Sequence, residues 1–168
     1  MSKPFVAILM GSDSDLPTLQ ATINVLEKFG ITMEVRVTSA HRTPAATHAY
    51  VKDADDRGCA VFIAAAGLAA HLAGTVAGLT VKPVIGIPID AGPLQGLDSL
   101  LSTVQMPGGI PVACVAVGKA GAANAGYLAA QILALSDPAL ADRLVKERED
   151  NATAIAEKND AVQQQLGT

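Results

Sequence analysis

The chain has 168 residues, half of them apolar, and a formal net charge of −4 at pH 7. This length favours one domain, and the apolar fraction is sufficient for a sizeable hydrophobic core. The acidic balance and the absence of a Lys or Arg cluster argue against a nucleic-acid-binding protein and against a basic membrane-binding face.

Apolar runs alternate with segments of helical spacing in the first half of the chain. The first run, at residues 5–10, is continuously apolar, which is typical of a strand buried on both faces of a parallel sheet. Thr43 followed by Pro44 is the pattern of a helix start, with proline at the first helical position. In chain order, we predict a strand at 5–10, a helix that opens at Gly11–Asp15 and closes at Gly30, a strand at 31–37, a helix from Pro44 to Gly58, a strand at 59–65 and a short helix at 67–79.

The second half continues the alternation, and Asp137 followed by proline marks the start of its last helix. We predict strands at 84–87 and 112–117 and helices at 122–135 and 138–166. The apolar residues of the last helix are too sparse for a stable solitary helix, so we expect it to pack on a neighbouring subunit. No repeat or linker interrupts the chain, and we expect residues 1–168 to form a single domain.

Three features of the sequence favour a cytoplasmic location. Met1–Pro4 leads directly into the first apolar run without a signal-peptide core. No apolar run reaches transmembrane length without an interrupting Gly, Pro or charged residue. Cys59 and Cys114 each open an apolar run, which is typical of reduced, buried thiols.

Five strands alternating with helices predict an α/β fold, a three-layer sandwich around a parallel sheet with right-handed crossovers. The commonest strand order, 2-1-3-4-5, reverses direction between strands 1 and 3, and ligands bind outside the C-terminal ends of the strands at that point. We therefore expect the site in the loops after strands 1 and 3, Gly11–Asp15 and Ala65–His71. The loop after strand 2, Ser39–Pro44, lies beside strand 1 in this order.

The first loop has the features of a phosphate or ribose site. A helix N-terminus offers free N–H groups and a partial positive charge, and Gly11 lets a ligand approach the backbone. The hydroxyls of Ser12 and Ser14 supply further donors. Asp13 is interpreted as a helix cap, whereas Asp15 can either cap the helix or accept from ribose hydroxyls.

The second loop contains His41 and Arg42 at the end of a predicted strand. Arginine offers a bidentate fork for phosphate, and histidine titrates near neutral pH. The alternative is structural, with the histidine bonded to local backbone and the arginine in a surface ion pair. The position of both residues at the predicted switch point favours the functional interpretation.

The third loop, Ala64–Leu72, is almost free of polar side chains, so its backbone can approach a planar ligand closely. Two interpretations of His71 stay open, a hydrogen bond to the ligand or a cap on the short helix. His48, in the middle of a predicted helix, is interpreted as a surface or interface residue. Three histidines without paired carboxylates make a metal site improbable.

Two glycine-rich segments follow later in the chain. Gln105–Pro111, with two prolines and two glycines, is either a lid or a simple connection between elements. Gly118–Asn124 has the composition of a phosphate loop, but it lacks the Walker spacing and the hydroxyl residue after the lysine. Hydrolysis of nucleoside triphosphates is therefore rejected.

Five segments carry a family resemblance that extends over nearly the whole chain: GSDSD at 11–15, SAHRTP at 39–44, AAAGLAAHLAG at 64–74, LDSLLSTVQMPGGIPV at 97–112 and GKAGAANAGYLAAQILA at 118–134. Together they resemble the class I N5-carboxyaminoimidazole ribonucleotide mutases of purine biosynthesis. SAHRTP followed by QMPGGIPV is the most specific part of the match. Leu68 and Ala73 depart from the pattern, since the family often has Gly and Pro at these two positions.

The resemblance implies flavodoxin-like subunits assembled as a homo-octamer, a small-molecule nucleotide substrate, and no metal or organic cofactor. It implies migration of a carboxylate from the exocyclic nitrogen N5 to ring carbon C4, and functional coupling to the ATP-dependent synthetase that makes the substrate. It assigns general acid/base catalysis to His41. The substrate contacts that it implies are Gly11, Ser12, Asp15, Ser39, Ala40, Arg42, Gly67, Ala70, His71 and Leu72.

The implied chemistry is consistent with these residue types. An N-carboxylate is a carbamate, which loses CO2 once its nitrogen is protonated, and the freed aminoimidazole can recapture CO2 at C4. The tetrahedral carbon then loses its proton, so one imidazole can donate the first proton and accept the second. A third loop rich in Ala and Gly provides dry walls that retain CO2.

Two alternative functions belong to other classes. A class II carboxylase takes free CO2 and the uncarboxylated aminoimidazole ribonucleotide, and substrate preference with and without bicarbonate distinguishes it. A phospho-acceptor signalling receiver shares the five-stranded fold but needs an Asp at the end of strand 3, where this chain has Ala64–Gly67. That difference makes the receiver improbable, and acetyl phosphate should not label the protein.

Overall fold

The computed structural model describes residues 4–167, so the first three residues, expected to lead directly into the first strand, lie outside the described residues. The strands are β1 (Phe5–Met10), β2 (Met33–Val37), β3 (Cys59–Ala66), β4 (Val84–Pro88) and β5 (Ala113–Cys114). The helices are α1 (Leu16–Lys28), α2 (Pro44–Asp56), α3 (Leu72–Ala77), α4 (Leu97–Val104), α5 (Gly118–Ala134) and α6 (Pro138–Leu166).

The five strands form one parallel sheet in the order β2-β1-β3-β4-β5, which confirms the predicted order. The chain passes from β1 to β2 on one side of β1 and then crosses back to β3 on the other side. The loops that follow β1, β2 and β3 therefore leave the same edge of the sheet side by side. This is the edge where the sequence predicts the site.

Side chains of β1 alternate between two covered faces of the sheet. Phe5, Ala7 and Leu9 belong to a buried cluster with residues of α2 and α3. Neighbouring residues in a strand point to opposite faces, and Val6 and Ile8 are also buried. The three-layer sandwich predicted from the sequence is confirmed.

Helices α1 and α5 lie against each other at close range. The Thr22 hydroxyl donates to the Ala122 carbonyl over 2.7 Å, and a Cβ at Gly126 would lie 2.9 Å from Cβ of Val25. Gly121 approaches the chain just before α5 even more closely, because a Cβ there would overlap the carbonyl oxygen of Ala116. The small residues of α5 are thus required by packing.

Four elements differ clearly from the predicted ones. Helix α4 was not predicted, because it begins after Gly96 at φ +90° without a side-chain cap, so the usual start signal is absent. Helix α3 begins at Leu72 rather than at 67, since Leu68 adopts a left-handed backbone with φ +56°. Helix α5 begins at Gly118 rather than at 122, and β5 is shorter than predicted.

Neither cysteine forms a disulfide. Cys59 is buried, as predicted, and burial raises the pKa of its thiol to about 11. Cys114 is only half-buried, on the short edge strand β5, and burial raises its pKa as well. A raised pKa keeps both side chains in the unreactive thiol form near neutral pH.

The chain divides into two compact units, one ending at Ile132 and the other beginning at Leu133. The first contains the sheet and helices α1 to α4. The second contains α6, where the Asp137 side chain accepts from the Leu140 N–H over 3.0 Å at the helix start, as predicted. Between residues 4 and 167, no helix has both the length and the apolar character needed to cross a membrane.

We expect Gly121→Ala to lower the free energy of unfolding by about 2–3 kcal/mol or more, because the added methyl group overlaps backbone that no rotamer change can move. This loss would outweigh the roughly 1 kcal/mol that alanine gains over glycine in a helix. Gly108→Ala is the control, since nothing lies within 4 Å of its added Cβ. Urea unfolding of both variants measures the difference, and equal stabilities would contradict the packing argument.

Candidate active site

The loops after β1, β2 and β3 enclose one cavity together with Ala91, which follows β4. Its volume of about 490 Å³ is within the range of small-molecule sites. The lining residues are Gly11, Ser12, Ser14, Asp15, Ser39, Ala40, His41, Arg42, Ala66, Gly67, Leu68, Ala69, His71, Leu72 and Ala91. Ten of the eleven residues expected at the site from the sequence are therefore brought together, and Ala70 is the exception.

A capping box organises the first loop. The Ser12 N–H donates to Oδ2 of Asp15 over 3.3 Å, and the Ser14 N–H donates to the Ser12 hydroxyl over 3.3 Å. The prediction that Asp13 caps the helix is wrong, because Ser12 occupies the cap position of the short 3-10 helix Asp13–Asp15 that leads into α1. Among the described residues, the exposed Asp13 carboxylate accepts only from the Ser12 hydroxyl, over 3.2 Å. The cap holds both serine hydroxyls at the cavity wall.

Asp15 is the buried carboxylate of this loop. Burial raises its pKa above the ordinary value, and the nearby charge of Asp13 acts in the same direction. The hydrogen bonds from Ser12 and Ser14 oppose this rise without cancelling it. The Asp15 carboxylate thus completes the capping box by accepting from the Ser12 N–H, and Asp15 also lines the cavity.

Arg42 connects the second loop to the first. Its Nη2 donates to the Gly11 carbonyl over 3.0 Å, and its backbone N–H donates to the Ser39 hydroxyl over 3.1 Å. Thr43 occupies the cap position of α2, but its hydroxyl accepts from the Ser39 N–H over 2.9 Å and does not cap the helix. Within residues 4–167, no carboxylate forms an ion pair with Arg42. Its positive charge is therefore available to an anionic ligand.

His41 and His71 meet across the cavity from different loops. Nε2 of His41 lies 2.7 Å from Nδ1 of His71, and the two rings are nearly perpendicular, at 82°. Of the two interpretations left open for His71, capping is not seen, since its side chain makes no capping hydrogen bond although it occupies the cap position of α3. A hydrogen bond between two imidazole nitrogens needs one donor and one acceptor, so this contact holds one proton.

The third loop is held against α4 and the segment after β4. The Ala70 N–H donates to the Ser102 hydroxyl over 3.0 Å, and this hydroxyl in turn donates to the Asp98 carbonyl over 2.6 Å. Ala70 is consequently buried and does not line the cavity. A Cβ at Gly67 would lie 3.0 Å from Cβ of Ala91, so the loop and the segment after β4 are in close contact.

Four lining residues besides Leu68 were not among the expected contacts: Ser14, Ala66, Ala69 and Ala91. The first three lie within the loops that the sequence predicts at the site, so the loops were predicted correctly but not every residue in them that faces the cavity. Ala91 was missed because the switch-point rule points to the loops after strands 1 and 3. The Ile89 N–H donates to the Ala66 carbonyl over 3.0 Å, so the segment after β4 continues alongside the third loop and brings Ala91 to the cavity.

Two other predictions concern residues outside the cavity. None of the residues 105–111 lines it, and Met106 instead packs near Gly74 of α3, where an added Cβ would lie 3.2 Å from its sulfur. His48 is exposed on α2. Among the described residues, no group of three or more His, Cys, Asp and Glu side chains is arranged to hold a metal ion.

The profile of the AIR carboxylase family matches residues 5–154. The chain belongs to this family. An N5-carboxyaminoimidazole ribonucleotide mutase of Synechocystis sp. is 53% identical over 92% of this chain and 87% of its own length. A relative of the same name from Pyrococcus horikoshii is 51% identical over 93% of this chain and 87% of its own length. These members of the family are isomerases.

A solved structure of the family has the same fold. The crystal structure of Treponema denticola PurE superimposes with a TM-score of 0.85, at 34% sequence identity, and covers 95% of this chain and 98% of its own. The flavodoxin-like α/β architecture expected from the sequence is thereby confirmed. Because the profile match covers residues 5–154 and both mutases match over 87% of their own length, the family assignment extends from β1 into α6.

The raised pKa of Asp15 generates a prediction about stability and pH. A carboxyl whose pKa is raised by folding stabilises the protein most below its unfolded-state pKa of about 3.9, and this contribution is lost as the pH rises through the folded-state value. Asp15→Asn keeps an oxygen for the Ser12 N–H but carries no charge. The free energy of unfolding of Asp15→Asn minus that of wild type should therefore increase from pH 4 to pH 8.

Urea unfolding at the two pH values measures this difference. Asp160→Asn, which removes an equal charge from an exposed position of α6, is the control and should show no such increase. If the stability of Asp15→Asn relative to wild type stays constant or falls between pH 4 and pH 8, burial does not dominate at Asp15.

Proposed function

We propose that the chain interconverts N5-carboxyaminoimidazole ribonucleotide and 4-carboxy-5-aminoimidazole ribonucleotide in de novo purine biosynthesis, with His41 as the general acid and base. The observation that carries this proposal is the histidine pair, His41 and His71, in a cavity that also contains Arg42, which forms no ion pair with a carboxylate within residues 4–167. The relatives named as mutases supply the substrate and the reaction type.

The cavity has two chemically different ends that fit such a nucleotide. Serine hydroxyls and the Arg42 guanidinium lie on the loops after β1 and β2, where they suit a phosphate and a ribose. Apart from His71, the loops after β3 and β4 contribute Ala, Gly and Leu residues, which suit a planar base. A nucleotide would therefore lie with its phosphate beside β1 and β2 and its imidazole towards β3 and β4.

The proposed reaction uses the proton held at the histidine pair. Protonation of N5 breaks the bond from N5 to the carboxyl carbon and releases CO2, which C4 then attacks. The C4–H proton of the resulting tetrahedral carbon leaves to the nitrogen that gave up the first proton. Every atom is conserved, and the step needs neither an oxidant nor ATP. A single imidazole that alternates between donor and acceptor is sufficient.

The apolar wall of the cavity supports retention of CO2 between the two steps. Ala66 and Gly67 bring the third loop close to the ring site, and Ala70 is held behind it by the Ser102 hydroxyl. Exclusion of water from this side disfavours escape of CO2 and its hydration to bicarbonate. This is the part of the proposal that separates a mutase from a carboxylase, which must admit CO2 from solution.

The proposal is tested by the consumption of N5-carboxyaminoimidazole ribonucleotide by the purified protein without ATP. A mutase converts this substrate at the same rate with and without added bicarbonate. Conversion of uncarboxylated aminoimidazole ribonucleotide that depends on bicarbonate, with no activity on the N5-carboxylated compound, would replace the mutase by the carboxylase.

Positioned acid–base catalysis typically contributes a factor of about 10²–10⁴. We predict that His41→Asn lowers the rate by about 10⁴-fold or more, because an amide cannot exchange protons near neutral pH and one residue serves both proton steps. His71→Asn should lose less of the rate, since a neutral donor can still serve there.

Arg42→Ala should instead weaken binding of the nucleotide by about 10- to 150-fold, because a charge-assisted hydrogen bond contributes roughly 1.5–3 kcal/mol.

Steady-state kinetics and calorimetric binding separate these variants. His41→Asn should bind the nucleotide with nearly wild-type affinity and fail to convert it, which a merely misfolded variant cannot do. If His41→Asn keeps more than about a tenth of the wild-type rate, another group is the base, and His71 is the next candidate. Unchanged affinity in Arg42→Ala would remove this residue from the phosphate site.

We further propose a cytoplasmic homo-octamer in which α6 packs on a neighbouring subunit, coupled in function to the ATP-dependent synthetase that supplies its substrate. Ile155, Val162 and Leu166 are exposed on α6. With Leu144, they recur at spacings of 11, 7 and 4 residues, which place them on one face of an α-helix. An exposed apolar stripe on a helix of 29 residues suits a second copy of the chain.

The double substitution Ile155→Asp and Val162→Asp should lower the mass of the assembly, because charges in an apolar interface are costly to desolvate. Thr153→Asp introduces the same residue on the opposite face of α6 and is the matched control. Light scattering of the purified proteins measures the mass. If the double variant and the control have the same mass as wild type, this face of α6 is not an interface.

A further inference from the structure

Leu68 lies in the wall of the cavity in an unfavourable backbone conformation. Its φ is +56°, in the left-handed region, which disfavours residues with a Cβ, most of all bulky ones. Its side chain is 51% exposed and lines the cavity. An exposed leucine gains little from packing, so neither the backbone nor the hydrophobic core accounts for a leucine at this position.

The surroundings hold Leu68 in this conformation. Its carbonyl lies 3.4 Å from the Ser102 hydroxyl, which also accepts from the Ala70 N–H over 3.0 Å, so the chain on the C-terminal side of Leu68 is attached to α4. The Leu68 side chain fills the space beside Gly92, where an added Cβ would overlap Cδ2 of the leucine. Gly92 has φ +74°, a backbone conformation that favours glycine, so no side chain at position 92 competes with Leu68 for this space.

The position of Leu68 at the apolar end decides which part of a ligand it can touch. Its neighbours in the wall are Gly67, Ala69 and Ala91, which offer no larger apolar side chain. The groups suited to phosphate, Ser12 and Arg42, belong to the loops after β1 and β2. Leu68 is therefore the one large exposed apolar side chain on the described wall where a planar ring would rest.

We propose that Leu68 is a specificity-determining residue whose side chain covers the ring of the bound nucleotide, and that the strained backbone is retained for this contact. The identity of the ring rests on the proposed function. The leucine contributes binding energy to the base without contacting the ribose phosphate, so it makes the site selective for a complete nucleotide over its sugar phosphate fragment. Covering about half of a leucine side chain is equivalent to roughly 3- to 10-fold in affinity.

Two substitutions separate the side chain from the backbone strain. Leu68→Asn has a similar size, tolerates the left-handed conformation and removes the apolar surface. Leu68→Met keeps an apolar side chain of similar volume. Gln95→Asn is the matched control, because Gln95 is the second non-glycine residue with positive φ among the described residues, at +50°, and lies outside the cavity wall.

Calorimetric titration of each full-length variant with 4-carboxy-5-aminoimidazole ribonucleotide and, separately, with ribose 5-phosphate tests the proposal. We expect Leu68→Asn to lose about 3- to 10-fold in affinity for the nucleotide and less than twofold for ribose 5-phosphate. Leu68→Met should stay within about twofold of wild type for both ligands. Gln95→Asn should leave both affinities unchanged while its relieved backbone raises Tm by about 2–4 °C.

Unchanged nucleotide affinity in Leu68→Asn, or an equal loss for both ligands, would overturn the proposal, since a merely structural role cannot discriminate between them. Failure of the proposed function has a different signature, because the wild-type protein would then bind ribose 5-phosphate no more weakly than the nucleotide. That result would overturn both proposals. If the wild type binds the nucleotide more tightly than ribose 5-phosphate and Leu68→Asn keeps the same ratio of affinities, only the role of Leu68 is overturned.

Discussion

The site depends on two backbone hydrogen bonds at the end of β1. The Thr38 N–H donates to the Met10 carbonyl over 2.8 Å, and the Gly11 N–H donates to the Ala65 carbonyl over 3.1 Å. The last residues of β1 are thus bonded to β2 on one side and to β3 on the other. Three consecutive loops leave the sheet at one level, which explains how residues far apart in sequence line a single cavity.

From this common level, each loop is stabilised by different means. A capping box orders the first loop, and hydrogen bonds among Ser39, Arg42 and Thr43 order the second. The third loop has almost no polar side chains of its own, so it depends on the Ser102 hydroxyl and on contact at Gly67. Ligand-binding groups are therefore held by contacts outside the cavity, as preorganised sites require.

Charge and strain are concentrated at the cavity. Asp15 is a buried carboxylate with a raised pKa, Arg42 is a guanidinium without an ionic partner among the described residues, and Leu68 has an unfavourable backbone. The buried carboxylate and the strained backbone each reduce the stability of the free protein. Their occurrence together around one cavity, in a sheet that is otherwise regular and well packed, is typical of sites where function has been favoured over stability.

The sequence by itself determined the five strands and every helix except α4, together with the strand order and the three loops. Continuous apolar runs, proline and glycine positions, and chirality leave few alternatives for a parallel sheet. Only the tertiary structure decided that His41 contacts His71, that Ala70 turns away from the cavity and that Ala91 enters it. These features depend on side-chain direction and on the distance between loops that are dozens of residues apart. No local pattern carries that information, since it arises only when the strands align and bring their ends together.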